Sequence, residues 1–269
     1  MVRAGGYADS PWLAELYDPW VEVRGVGDVP MYLELAHTTG GPVLELACGT
    51  GRILLPLAEA GLDVVGLDLS EHMLTKCHEK LQRLPKPVQA RVRLQHGNMV
   101  DFDLKQSFGL VVIAFRSFQH LRSVEEQLSC LRCAHRHLRE GGRLIINLFQ
   151  VNLAKITDPR SAVESPSRGE FTLPDGRKVR VCDRLAAVHR AEQCLDVEMI
   201  WYVTHPNGRT ERLVHAFPFR YFFRYEMEHL LARGGFRVVD LWGDYHRSPL
   251  RDDSPEMIFV AERDARVRH

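Results

Sequence analysis

Between Pro42 and Phe149 short apolar runs alternate with amphipathic stretches: PVLELA, RILLPLAEAG, DVVGLDL, SEHMLTKCHEKLQRL, RVRLQHG, GLVVIAF, SVEEQLSCLRCAHRHLREGG and RLIINLF. Strands alternating with helices in this way predict a mostly parallel sheet covered on both faces. Ser70 and Ser123 occupy helix N-cap positions, and Gly61 and the pair Gly141-Gly142 stand where helices should stop.

After Phe149 the texture changes. LPDGRKV and THPNGRT each place an Asp-Gly or Asn-Gly pair between β-rich segments, a strong hairpin signal, so residues 168 to 223 read as an inserted antiparallel meander. Within it PFRYFF alternates, with Phe217, Phe219, Tyr221 and Phe223 on one face and Arg220, Phe222 and Arg224 on the other. RYEMEHLLARGGF then predicts a helix closed by Gly234-Gly235, and FRVVDLWG and EMIFVAE predict an antiparallel hairpin completing the main sheet. The organisation expected is an N-terminal helical cap (1–40), an α/β core (41–150), an inserted antiparallel lid (151–223) over the active-site mouth, and a C-terminal helix and strands (224–269) that complete the core.

Composition narrows the function. The chain has 269 residues, enough for one large domain or a domain with an insertion, and Lys plus Arg balances Asp plus Glu at 35 each. No global field draws it to nucleic acid or to an anionic membrane. MVRAGGYADSPW lacks the apolar centre of a signal peptide, and no run approaches the ~20 apolar residues of a membrane span. The expectation is a cytoplasmic protein, monomeric or homodimeric. Six scattered cysteines read as reduced thiols. Cys130-x-x-Cys133 with His135 and His137 has a superficial likeness to a zinc site, but zinc needs ligands from a second element, so this stretch reads as a structural helix and no metal is expected.

The chemistry is concentrated at residues 44 to 52, LELACGTGR. A glycine-rich turn between strand and helix lets backbone N–H groups approach a polar ligand closely. A nucleotide phosphate loop requires Gly-x4-Gly-Lys-Ser/Thr, which is absent. A dinucleotide loop would continue Gly49-x-Gly51 to Gly or Ala at position 54, which is Leu. Asp68 nevertheless closes the second strand 19 residues after Gly49, where an acid accepts hydrogen bonds from ribose hydroxyls. The adenosine half of a dinucleotide site is present without its pyrophosphate half.

Glu45-Leu46-Ala47-Cys48-Gly49-Thr50-Gly51-Arg52 resembles the first motif of the class I S-adenosylmethionine-dependent methyltransferases. Further motifs follow in the family's order. Asp68-Leu69-Ser70 with Met73 is similar to its D-x-S-x-x-M segment, and Gly97-Asn98-Met99 with Asp101-Phe102 to its adenine segment, with Asn where Asp is commoner. Ser117-Phe118-Gln119-His120-Leu121 is similar to the segment after the fourth strand. The resemblance covers residues 40 to 150, and the later layout resembles the small-molecule branch that includes glycine and sugar-amine N-methyltransferases. It implies a Rossmann-like fold, S-adenosylmethionine as cofactor, and a small-molecule acceptor methylated at N or O.

The resemblance also implies roles. The sulfonium and its carboxylate-bearing tail would lie over Ala47, Cys48, Gly49 and Gly51, flanked by Glu45 and Arg52. Asp68 would hold the ribose, beside Leu69 and Met73, and Asn98 with Met99 would receive adenine. Phe115 and Ser117 would border the cofactor after the fourth strand. His120 could act as a base or serve positioning and packing, and Tyr17 could fold over the cofactor or anchor a helix face. Arg220, His215, Tyr245 and His246 are the expected acceptor contacts. Methyl transfer requires alignment, exclusion of water and sometimes removal of a proton, so a dedicated catalytic group is not obligatory.

Three other readings remain open on sequence. A nucleic-acid base methyltransferase would carry Asn/Asp-Pro-Pro-Tyr/Phe where this chain has Phe115-Arg116-Ser117-Phe118, which leaves other RNA or protein substrates open. A nicotinamide oxidoreductase is disfavoured by Leu54. A non-catalytic binding protein on the same fold would carry the same motifs.

Overall fold

The computed structural model describes residues 10–264, so the outermost parts of the expected N-terminal cap and C-terminal segment lie outside the described residues. Two compact units share the chain: a smaller one comprises the residues up to Val26 and Val151–Tyr221, and a larger one Gly27–Gln150 together with the chain from Phe222 onward.

Helix α1 (Pro11–Arg24) belongs to the smaller unit and α2 (Val29–Thr39) to the larger, so the N-terminal segment is divided between them. The larger unit continues with β1 (Val43–Leu46), α3 (Leu54–Glu59), β2 (Val64–Asp68), α4 (Glu71–Leu81), the short α5 (Lys86–Gln89), β3 (Val92–His96), β4 (Phe108–Ile113), α6 (Val124–His137) and β5 (Leu138–Phe149). The smaller unit then adds α7 (Leu153–Thr157) and an antiparallel sheet of β6 (Gly169–Thr172), β7 (Lys178–His189), β8 (Cys194–Thr204) and β9 (Thr210–Arg220). The chain returns to the larger unit with α8 (Arg224–Arg233), β10 (Phe236–Trp242) and β11 (Glu256–Arg263). The main sheet has the order β10-β11-β5-β4-β1-β2-β3, parallel from β3 to β5, with β11 antiparallel to both β5 and β10. This is the Rossmann-like doubly wound fold, closed by an antiparallel hairpin.

The strands sit where the apolar runs place them because both faces of the sheet are covered. In β4, Val111 and Ile113 join a core layer with α6 and α8, whereas Leu110 and Val112 join the opposite layer with α2 and α3. Ser70 caps α4 by accepting from the Met73 N–H at 3.3 Å, and Ser123 forms a reciprocal capping box with Glu126. Cys130 and Cys133 lie in the core, and His137 is held by backbone groups, with Nδ1 2.8 Å from Cys133 O and Nε2 accepting the Leu104 N–H at 2.9 Å.

Three local expectations are corrected. Helix α6 stops at His137 rather than at Gly141-Gly142, because Leu138 is already extended and pairs with Phe108 before the register shifts. The alternation of PFRYFF ends at Arg220, where β9 stops, and Phe223 instead precedes α8. His215, Phe217 and Phe219 do share a face, with ring centroids 4.8 and 5.4 Å apart. The meander holds three hairpins, and the turn between β7 and β8 is built from HRAEQC, which has no Asn-Gly or Asp-Gly signal.

At the amino edge of the sheet the Gly109 N–H donates to Pro42 O at 2.9 Å, and a Cβ on Gly109 would lie 1.9 Å from Gly40 O. No helix among the described residues is long and apolar enough to cross a membrane.

Candidate active site

The strand order reverses at β1, with β2 and β3 to one side and β4, β5 and the hairpin to the other. Loops leaving the carboxyl ends of β1 and β4 therefore part at a topological switch point, where open α/β sheets bind ligands. The loop after β1 is pinned by Cys48 N–H to Leu67 O at 3.1 Å and turns back through Gly51 N–H to Cys48 O at 2.9 Å. Ala47, Gly49 and Gly51 all adopt positive φ, 57°, 55° and 79°. The Gly49 and Gly51 positions differ. A Cβ on Gly51 would strike Cys77 Sγ at 2.4 Å, so this glycine serves packing, whereas a Cβ on Gly49 would meet nothing within 4 Å and would occupy open space above the loop.

Asp68 ends β2 and faces that loop. Its Oδ2 accepts the Gly49 N–H and its Oδ1 the Ser70 N–H, both at 2.7 Å. A carboxylate has further acceptor capacity beyond these two bonds, which suits ribose hydroxyls. Burial raises its pKa, opposed by the backbone N–H groups of Ser70 and Gly49. Leu69 beside it is 54% exposed, an apolar surface that an adenosine would cover, and Met73 is buried. Asn98 Oδ1 accepts the Val100 N–H at 3.1 Å, leaving its amide N–H groups as the part able to address a base, and Met99 packs against the core below. Cys48 contributes backbone alone, because its buried thiol points under Gly66.

Glu45 is the buried anomaly of the site. It is 3% exposed and its Oε2 has no hydrogen-bond partner. Burial pushes its pKa up to about 8, against the pull of Arg52. The hydroxyl of Tyr32, 0% exposed, is likewise without a partner. Arg52 forms a two-pronged ion pair with buried Asp28 and lies over the Phe115 ring at 4.9 Å, joining the loops after β1 and β4. These orphaned polar atoms, the open face over Gly49 and the two-oxygen acceptor at Asp68 fit an adenosine cofactor with a charged amino-acid tail. Asp28 and Tyr32 were not evident from the sequence, since neither lies in a motif.

The Glu45 carboxyl gives a pH signature. Its folded pKa lies above the unfolded value, so its contribution to stability is complete below about pH 4.5 and is lost as pH rises through about 8. Glu45→Gln should therefore gain stability relative to the wild type between pH 5 and pH 8, by up to ~4 kcal/mol, in urea unfolding. A difference that stays constant with pH would place the carboxyl in water.

After β4, Phe115 and Arg116 are consecutive non-glycine residues with positive φ, 48° and 71°, followed by a 3-10 turn over Ser117–His120. Ser117 closes the bend with its N–H on Ala114 O at 3.1 Å. Burial pushes the His120 imidazole down to about 4. Arg116 donates to Glu256 through Nη2 at 2.5 Å and Nε at 3.4 Å, Asn147 Nδ2 donates to Glu256 Oε2 at 3.0 Å, and the Tyr245 hydroxyl donates to Asn147 Oδ1 at 3.2 Å. Burial raises the Tyr245 pKa further. His246 is exposed, in a turn where its N–H meets Asp244 Oδ1 at 2.8 Å.

Tyr17, His215 and Arg220 belong to the smaller unit. Tyr17 packs on Trp20 at 6.0 Å between centroids, His215 is buried beside Phe217, and Arg220 Nη1 donates to Glu192 O.

Residues 43–142 match the family described as Methyltransferase domain. The chain is 29% identical over 226 residues to the Cypemycin N-terminal methyltransferase of Streptomyces sp, covering 83% of this chain and 84% of that one. It is 26% identical over 236 residues to the dTDP-3-amino-3,4,6-trideoxy-alpha-D-glucopyranose N,N-dimethyltransferase of Streptomyces venezuelae, covering 86% and 92%. Its fold superposes on the CcbJ methyltransferase from Streptomyces caelestis with a TM-score of 0.76 at 25% identity, covering 97% of this chain and 99% of that structure.

Proposed function

We propose, for a chain that is a class I S-adenosylmethionine-dependent methyltransferase acting on a small-molecule nucleophile, that the atom it methylates is an amine nitrogen. The observation that carries this reading is the His120 imidazole, held at about 4 by burial and so uncharged at neutral pH. So weak a base cannot generate an alkoxide, yet it can accept a hydrogen bond from an amine N–H and aim the nitrogen lone pair. A neutral amine already carries the nucleophilic pair, and its surplus proton can leave after the carbon–nitrogen bond has formed. The two relatives described above are named for amine acceptors as well, an N-terminus in one and an amino sugar in the other.

When bound, S-adenosylmethionine supplies the methyl group on a sulfonium. The protein's share is to hold the ribose at Asp68, receive the tail near Glu45 and Arg52, and exclude water around the carboxyl ends of β1 and β4. A cytoplasmic setting is part of the same proposal, supported by six free, buried cysteines.

The test is incubation with the labelled cofactor and matched amino and hydroxy forms of small acceptors, with the site of methylation read by mass spectrometry. Transfer to the amine of each pair is expected, and transfer to hydroxyls in preference would overturn the proposal. His120→Ala should lower kcat by ~10²-fold without altering the neutral limb of the pH profile, since the group it removes titrates near 4. A profile that loses an inflection near neutrality in this variant would assign His120 the role of a conventional base.

A further inference from the structure

We propose that Arg116 recognises an oxyanion, a carboxylate or a phosphate, carried by the methyl acceptor; the proposal rests on the amine-methylation reading for what the acceptor is. Glu256 engages the side fork of the guanidinium, Nε and Nη2. The ring centroids of Phe115 and Phe149 lie 5.9 and 5.7 Å from Cζ. The end fork, formed by Nη1 and the outer hydrogen of Nη2, remains, and among the described residues Nη1 has no acceptor. A guanidinium fixed on one edge presents two parallel N–H groups on the other, the geometry that pairs with a planar carboxylate or two phosphate oxygens.

A purely structural ion pair explains less. Glu256 and Asn147 are 5% and 0% exposed, but 24% of the Arg116 side chain reaches solvent. The chain also carries two successive left-handed residues, Phe115 and Arg116, at the carboxyl end of β4. Such backbone strain persists where the structure around it enforces a position, and it concentrates at ligand sites. Asn147, on β5, fixes Glu256 at the start of β11, and Tyr245 fixes Asn147. These three are positioning residues, and Arg116 is the group that touches the ligand. It precedes the Ser117–His120 turn directly, which sets the oxyanion a short distance from the methylated nitrogen.

The test reads binding, so it is independent of turnover. With S-adenosylhomocysteine bound, inorganic phosphate and acetate are titrated separately at constant ionic strength while the arginine side-chain resonances are followed by NMR, with chloride as control. A saturable shift assigned to Arg116 with one or both anions, and none with chloride, is expected; the responding anion identifies the class. Arg116→Lys keeps a counter-charge for Glu256 but lacks the fork, and should weaken binding at least tenfold, as monitored by calorimetry. The pair Arg116→Met with Glu256→Gln removes both charges together and should abolish binding with the cofactor product's affinity unchanged. No saturable response in the wild type, or equal affinity in Arg116→Lys, overturns the proposal, and Arg116→Lys decides alone if the double variant does not fold. Failure of the amine reading shows instead as methylation at oxygen with anion binding intact.

Discussion

Replacing Asp68 by alanine is expected to weaken cofactor binding by ~100-fold or more and to leave the protein folded, because charge-assisted hydrogen bonds contribute ~1.5 to 3 kcal/mol each. Both carboxylate oxygens are already aimed by backbone N–H groups at 2.7 Å, so the acceptor is preorganised. The effect on stability divides into opposing parts. Alanine forfeits the contacts to Gly49 and Ser70, but it also removes a carboxylate whose pKa burial raises above its ordinary value. Calorimetric titration with S-adenosylhomocysteine measures the first quantity and thermal unfolding the second. Unchanged affinity would reduce Asp68 to a brace for the loop after β1. Asp68→Asn should fall between the two, since its oxygen still accepts while its amide nitrogen faces a donor.

Gly51→Ala should be the most damaging single change in that loop, costing ~3 kcal/mol of stability from a steric clash added to a disfavoured backbone conformation. The added methyl would lie 2.4 Å from Cys77 Sγ and 3.1 Å from Leu55 Cγ, at φ +79°. Both neighbours are buried and neither can swing into solvent. A melting temperature lower by roughly 9 °C is expected, with about half recovered when Cys77→Ala is combined. Gly49→Ala supplies the contrast. Its methyl meets nothing within 4 Å, so stability should fall by only ~1 kcal/mol for the left-handed backbone, while cofactor affinity drops because the methyl occupies the ligand's approach. Equal melting temperatures for the two variants would show that the loop yields and that the Cys77 contact is no constraint.

What could be read from the sequence follows the range of the interaction. The spacing from Gly49 to Asp68 is set by one helix between two adjacent parallel strands, and in the fold the two residues are joined by a hydrogen bond. The caps at Ser70 and Ser123 were legible because one turn of chain contains both partners. The end of α6 was not, because His137 is held by Leu104 from another segment and Leu138 is drawn into the sheet by Phe108. Arg116 and Glu256 stand 140 residues apart, and Asp28 and Arg52 24 apart. No local pattern marks such pairs, and only the sheet order brings β4, β5 and β11 side by side.

The contact of Gly109 with Gly40 bears on how this protein can be re-engineered. With a Cβ at position 109 lying 1.9 Å from a carbonyl oxygen, substitution there would require the backbone itself to part. Toward the opposite edge, by contrast, polar atoms are still unsatisfied, at Glu45 near the end of β1 and Tyr32 on α2. Mutational libraries seeking new acceptors should therefore be drawn from the segments following β1, β4 and β5, and a graft or fusion should avoid the turn between α2 and β1, where sequence diversity has almost no room to be stored.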